Sequence, residues 1–460
     1  MAFIRSPASV VLMPAFTLQQ RTTDYFHPMR PLLLLPLLSV SIVHAQPRIS
    51  GPMLGHVDML AAAAWMQCLG PCAARIEYWK ESAPDSVMRT PAQDSDAERA
   101  HAMEFTLDRL VPGTVYRYRP VVNGVPMEPL SFRTQPLWKH RTDPPAFTVA
   151  MGSCAYINEP AYDRPGTPYG GDYAIFDAIA AKQPDVMLWL GDNIYLREPD
   201  WGSRSGYLYR YTHTRSLPEL QRLLRTGAHY AIWDDHDFGP NDADGSWIHS
   251  GIARDCFDLF WPNPTCGAPD VEGAITSFSY ADADFFLLDD RTHRIPGDTR
   301  TTAPAMLGEA QIDWLIRALK YSDAAFKLVA IGNQVLNSAA IYETYATITA
   351  ERERLLKRIE DEGIPGVVFL TGDRHFTELS ALKLKDGRTL YDLTCSPLTS
   401  GVHKPREENA NRVEGTVVEQ RNFATLSFSG KRKERVMTIR IFDKNGAQLW
   451  ERAIQEERKP

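Results

Sequence analysis

Four apolar runs in this chain each end in side chains able to bind metal ions. Gly152-Ser153-Cys154 follows the run 147–151, and Gly191-Asp192-Asn193-Ile194-Tyr195 follows 186–190. Asp234-Asp235-His236-Asp237 follows 229–233, and Thr371-Gly372-Asp373-Arg374-His375 follows 367–370. Each has an ordinary structural explanation when taken singly. Gly-Asp after a strand is a common capped turn, a buried cysteine is most often inert core, and acidic or Asp-Arg-His clusters pair internally. Four of them at four strand ends point instead to a shared centre. Carboxylates packed together repel and hold their protons unless cations neutralise them. An aspartate such as Asp192 has one oxygen for each of two cations, and a cation pair binds the attacking and leaving oxygens of a phosphoryl displacement. The phenolate of Tyr195 and the thiolate of Cys154, a hard and a soft anionic donor, suit trivalent iron better than magnesium.

Such a centre needs strands that deliver their C-terminal ends to one edge, where open α/β sheets bind ligands. Beyond residue 146 the pattern supplies them. Apolar runs at 147–151, 186–190, 229–233, 285–288, 327–331 and 367–370 predict buried parallel strands. Helical patterns intervene at 172–181, 218–225, 308–320 and 350–362, and later runs at 378–383, 390–393, 437–442 and 448–452 read as antiparallel strands. Residues 46–140 read differently, as an all-β module with runs at 59–67, 73–79, 103–107, 116–122 and 130–134. Within it, Leu110-Val-Pro-Gly-Thr-Val-Tyr116 resembles the tyrosine corner of fibronectin-like and immunoglobulin-like sandwiches. A Pro-rich linker, Thr142-Asp-Pro-Pro, separates the two regions.

Hydrophobic residues make up 44% of the 460 and charged residues 23%, ordinary for a folded protein. The formal net charge of −7 disfavours nucleic acid or anionic lipid as a general partner. Residues 1–45 read as an export signal. Arg30 precedes an apolar stretch from Leu32 to Val43, a small-residue end follows at Ala45, and Met29 is the alternative start. No twin arginine precedes the stretch, which favours the general export route and a periplasmic or secreted destination. The stretch is too short and proline-broken for a stable membrane span. Six cysteines fit an oxidising compartment. Cys68 with Cys72 and Cys256 with Cys266 are the expected disulfides, leaving Cys154 and Cys395; connectivity stays open from sequence.

Gly191-Asp192-x-x-Tyr195 resembles the metal-binding motif of purple acid phosphatases. The fuller set resembles the PhoD-type alkaline phosphatase and phosphodiesterase family. It comprises Gly152-Ser-Cys154, Gly191-Asp-Asn-Ile-Tyr195, Trp233-Asp-Asp-His236, Leu288-Asp-Asp-Arg291, Leu307-Gly-Glu-Ala-Gln-Ile-Asp-Trp-Leu315, Ile331-Gly-Asn-Gln334 and Gly372-Asp-Arg-His375. The resemblance implies a metallophosphoesterase-like two-sheet α/β sandwich over 146–460, preceded by a small β-sandwich domain. It also implies an Fe(III) and Ca(II) centre, with Mn, Zn, Mg and Co as other divalent candidates. Carried over position by position, Cys154, Asp192, Tyr195 and His375 would hold the iron. Asp192, Asp235 and Asp373 would serve the second cation, with Asn241 a further ligand. His236 would be the general acid in attack by a metal-bound hydroxide on small phosphate mono- or diesters. The Val-x-x-His motif of the wider superfamily is missing; Asn333 stands near its place and is carried as a substrate contact.

Two further sequence features bear on the substrate. Tyr207-Leu-Tyr-Arg210-Tyr-x-x-x-Arg215 offers arginine forks for a phosphate, although the same pattern equally fits a buried helix. Asp234 and Asp237 read as groups that cap the loop or orient His236. No Gly-x-Ser-x-Gly elbow marks a serine hydrolase. Three rivals remain: a phospholipase D-like hydrolase of lipid head groups, a carbohydrate- or surface-binding protein built on the N-terminal module, and a purely structural secreted protein.

Overall fold

The six apolar runs between 147 and 370 each form a strand in the structure, a computed structural model that describes residues 48–457. The export segment expected over 1–45, with its alternative start at Met29, lies outside the described residues. Val186–Leu190 (VMLWL) is buried at every position, as a strand covered on both faces must be. It pairs in parallel with Phe147–Gly152 on one side and Ala228–Ile232 on the other. A second parallel set joins Ala283–Leu287, Phe326–Ala330, Val367–Thr371 and Thr389–Thr394.

These sets belong to two sheets. The first runs Gln448–Gln455, Val436–Asp443, Asn422–Ser429, Phe147–Gly152, Val186–Leu190, Ala228–Ile232, Ile49–Val57, Ala62–Cys68, Ala102–Leu107. The second runs Thr276–Tyr280, Ala283–Leu287, Phe326–Ala330, Val367–Thr371, Thr389–Thr394, Glu378–Lys383. Side chains alternate across each sheet. Val149, Leu188, Leu190 and Ile232 from the first meet Phe285, Leu328, Val368 and Leu370 from the second in one core. The outer face of the first sheet is covered by helices Ala174–Ala181, Arg204–Arg215 and Ser250–Phe260, that of the second by Glu309–Tyr321 and Thr349–Asp361. The result is the expected two-sheet α/β sandwich.

The N-terminal region departs from the expectation of a separate domain. Its strand Ile49–Val57 pairs in parallel with Ala228–Ile232, Leu54 opposite Ala228, and so continues the first sheet. Ala62–Cys68 and Ala102–Leu107 follow it in the same sheet. A second small sheet, built on Ala73–Lys80 and Val115–Val122, covers them, with Ile76, Tyr78 and Tyr116 packed on Met66 and Phe105. A sandwich is present, but one of its two sheets is the large first sheet. Ile49–Val57 escaped the sequence reading because Gly51-Pro52 interrupts it. The strand absorbs the interruption as a register shift between Ser50 and Met53. The expected corner is closed: Val111 donates its amide to Tyr116 Oη at 3.0 Å.

Cys68 and Cys72 form a disulfide. The expected Cys256–Cys266 bond is corrected: both are free thiols, as are Cys154 and Cys395. Cys256 faces the core from helix Ser250–Phe260, and the half-buried Cys266 packs against the same cluster.

Candidate active site

The C-terminal ends of strands from both sheets meet at one edge. Cys154 and Asp192 lie just past Phe147–Gly152 and Val186–Leu190 of the first sheet. Asp235 opens a short helix, Asp235–Phe238, after Ala228–Ile232, while Asp373 and His375 follow Val367–Thr371 of the second sheet. The sheets approach closely here because Gly372 has no side chain. A Cβ on it would lie 2.5 Å from Leu190 O and 2.7 Å from Ser153 Cβ.

Four of the gathered residues adopt left-handed backbone that non-glycine residues avoid: Cys154 (φ 61°), Asp192 (51°), Asp373 (59°) and His375 (58°). Each such residue costs of order 1–3 kcal/mol, and such costs concentrate where function dictates geometry. The turns aim the side chains inward. Tyr195 Oη donates to Asp192 Oδ2 at 3.0 Å, the Cys154 thiol lies 3.4 Å from the same oxygen, and His375 Nε2 is 3.4 Å from Tyr195 Oη. Ser396 Oγ donates to Cys154 Sγ at 3.1 Å.

Donor atoms of Cys154, Asp192 and His375 all lie within 4.8 Å of one another, and so do those of Asp192, Asp235 and His236. Asp192 is common to both groups. Its Oδ1, fully buried, receives no hydrogen-bond donor from the described residues. A buried carboxylate oxygen left without a donor is costly unless a cation satisfies it.

Electrostatics point the same way. Burial, reinforced by Asp235, Asp237 and Asp373, pushes the Asp192 carboxyl well above the carboxylate range. Burial and Asp192 likewise push up the Cys154 thiol and the Tyr195 phenol. Asp373 is raised to about 7 by burial and then by Glu343 and Asp235. His375 is lowered to about 3 by burial and by His403. Asp235 is the exception: burial pushes it up, but His236 and Arg291 outweigh that and hold it at about 2. Without cations these groups, Asp235 apart, would sit largely protonated or neutral. A cation in their midst would reverse the preference and turn each into an anionic or neutral donor. The residues therefore fit a metal pair, with sulfur, nitrogen, phenol and carboxylate donors on the side of Cys154 and carboxylates with an imidazole on the side of Asp235.

Residues 149–438, well over half of the chain, match the PhoD-like phosphatase family. The protein belongs to the PhoD-like phosphatases. It is 24% identical to alkaline phosphatase D of Bacillus subtilis over 352 residues, which cover 66% of this chain and 58% of that relative's length. The structure of PhoD superposes with a TM-score of 0.70 at 17% identity, covering 88% of this chain and 92% of the other. Purple acid phosphatase PPD1 of yellow lupin (Lupinus luteus) superposes with a TM-score of 0.66 at 12% identity, covering 89% and 74%. At these identities the superpositions speak for a shared fold.

In this PhoD-like phosphatase three sequence candidates fall outside the site. Arg210 is buried between Asp200 (Nε to Oδ2, 2.8 Å) and Glu159 (Nη1 to Oε2, 2.6 Å). Arg215 is buried over Trp261 at 3.9 Å and donates to Phe260 O. The buried-helix alternative therefore holds, and neither guanidinium faces a substrate. Asn333 is also fully buried and accepts from Arg294 at 3.0 Å, so it is no substrate contact either. Asn241 lies exposed on the loop whose next residue, Asp242, donates its amide to Asp235 Oδ2 at 2.7 Å.

Arg291 and Glu343 were not among the candidates read from the sequence. Arg291, fully buried, bonds Asp234 and Glu343, and donor atoms of Asp234, Asp235 and Glu343 gather within 4.8 Å. Glu343 stands alone in a loop, where nothing in its neighbours marks it. Arg291 could have been found from its motif, Leu288-Asp-Asp-Arg291. Asp234 and Asp237 form a capping box on the short helix, and Asp237 also accepts the amides of the Asp192 loop.

Proposed function

We propose that this chain is an exported, metal-dependent phosphoesterase acting on small phosphate mono- and diesters. The carrying observation is Asp192, shared by two donor groups and left with one oxygen undonated. Cys154, Asp192, Tyr195 and His375 would hold iron, whose preference for anionic and imidazole donors they match. Asp192, Asp235, Asp373 and Asn241 would hold the second cation, calcium or another divalent ion. When bound, such a pair neutralises charge on the phosphoryl oxygens and acidifies a water molecule.

The protein's own groups supply the rest. His236, with 22% of its side chain exposed, is the reachable imidazole of the cluster; it lies against the Tyr195 ring (centroids 4.2 Å apart) and 4.0 Å from Asp235 Oδ2. Burial lowers its pKa, while the Asp235 carboxylate opposes that and favours the charged ring. An incoming phosphate acts in the same direction, so His236 is positioned to protonate a departing alkoxide. Export is supported by the signal-like segment at 29–45 and by the Cys68–Cys72 bond, which persists in oxidising compartments.

Elemental analysis of the purified protein, paired with hydrolysis of p-nitrophenyl phosphate and bis(p-nitrophenyl) phosphate, tests this reading. Iron with a second metal, and activity abolished by chelation, is the expected result. Full activity in the metal-stripped protein would overturn it.

A further inference from the structure

His375 is held from two sides. Its Nε2 faces the cluster, 3.4 Å from both Tyr195 Oη and Ser400 Oγ. Its Nδ1 lies 3.0 Å from Oη of Tyr169, a residue that stands 40% exposed at the site while touching an almost fully buried ring. Nothing in the sequence patterns around Tyr169 marks it.

The segment that carries Tyr169 is built to hold it there. Asn158 and Gly170 exchange hydrogen bonds, Nδ2 to O at 2.9 Å and N to Oδ1 at 2.8 Å. Gly171 donates to Thr399 O at 2.8 Å, and Arg421 donates to Tyr169 O at 3.3 Å. Upstream, Arg197 clamps Ile157 O and Asp163, and Arg210 clamps Glu159. The Tyr169 ring packs edge-on against Tyr156 with centroids 5.0 Å apart. On its other side Gly401 makes room, because a Cβ there would fall 2.6 Å from Tyr169 Cε2.

We propose that Tyr169 is a positioning residue for His375, a proposal that rests on the metal-centre reading above. For Nε2 to serve as a ligand the ring proton must sit on Nδ1, and it then donates to Tyr169 Oη. That bond fixes the tautomer and the ring angle together. Tyr169 thereby does for His375 what an outer carboxylate or carbonyl does for other metal-binding histidines.

The test uses the full chain loaded with iron, comparing Tyr169→Phe with wild type by chelator competition and by the tyrosinate-to-iron absorption band. Loss of the hydroxyl should weaken iron retention by about 10- to 100-fold and shift the band, with the thermal midpoint of the metal-free protein unchanged. Gly401→Ala reaches the same contact from the other side, moving the ring while keeping the hydroxyl, and should also weaken retention. Wild-type retention and an unshifted band in both variants would overturn the proposal. Wild-type protein that binds no iron and shows no band would overturn the metal-centre reading itself, and the role of Tyr169 with it.

Discussion

The carboxylate of Asp237 accepts the amides of Asn193 at 3.1 Å and Ile194 at 3.3 Å, so a residue of the Asp235 loop sets the path of the loop bearing Asp192 and Tyr195. Asp237→Ala would leave those buried amides without an acceptor. The expected cost is about 1–3 kcal/mol in urea unfolding, with activity reduced even at saturating metal. Wild-type stability and activity together would show that the two loops are set independently.

Asp192→Asn removes the charge shared by the two donor groups. Metal content and phosphoesterase activity should fall together, activity by about a thousandfold or more, while the circular dichroism spectrum is retained. Elemental analysis beside a steady-state assay checks both; normal metal content with full activity would remove the dinuclear centre from consideration.

His236→Asn should leave metal content intact and lower kcat by about 10²–10⁴-fold on an alkyl phosphate. The loss should shrink for p-nitrophenyl phosphate, whose leaving group needs no proton. An equal loss on both substrates would assign His236 a role other than general acid.

Stability of the metal-free protein should fall as pH rises. Asp373 and Asp237, each raised to about 7 chiefly by burial, bind their protons more tightly folded than unfolded. Their stabilising effect is complete below about pH 4 and is lost as pH climbs through about 7. Asp235, held at about 2, and His375, held at about 3, act oppositely, but only below about pH 4 and below about pH 6.5 respectively. The thermal midpoint after chelation should therefore be lower at about pH 8 than at about pH 6.5, and metal addition should flatten the difference.

Arg210→Ala should unfold rather than merely slow the protein. Asp200 and Glu159 would lose their buried partner, at a cost of about 3–5 kcal/mol measured by urea unfolding. If enough folded Arg210→Ala remains to assay, its KM for a phosphate ester should match wild type. A raised KM at unchanged stability would restore Arg210 as a phosphate contact.

What could be read from the chain followed the range of each signal. The parallel strands were legible because burial on both faces leaves a continuous apolar run, as in Val186–Leu190. Cys154, Asp192, Asp235 and Asp373 were legible because they stand just past those runs. Ile49–Val57 was not, since its partner strand is remote and Gly51-Pro52 imitates a break. Arg210 stayed between two readings because an arginine aimed at phosphate and one aimed at Asp200 look alike until the fold closes. Tyr169 and Glu343 act across loops, and no local pattern reports that.

The pairing of Leu54 with Ala228 has a consequence for how the molecule comes into being. Its strand Ile49–Val57 pairs at once with Ala62–Cys68 on one flank, but the other flank waits for Ala228–Ile232, so the large sheet cannot assemble wholly in the order of synthesis. Such remote pairing slows folding. A version trimmed to begin at the linker would lay bare the flank of Ala228–Ile232 and invite edge-to-edge aggregation in place of a smaller enzyme.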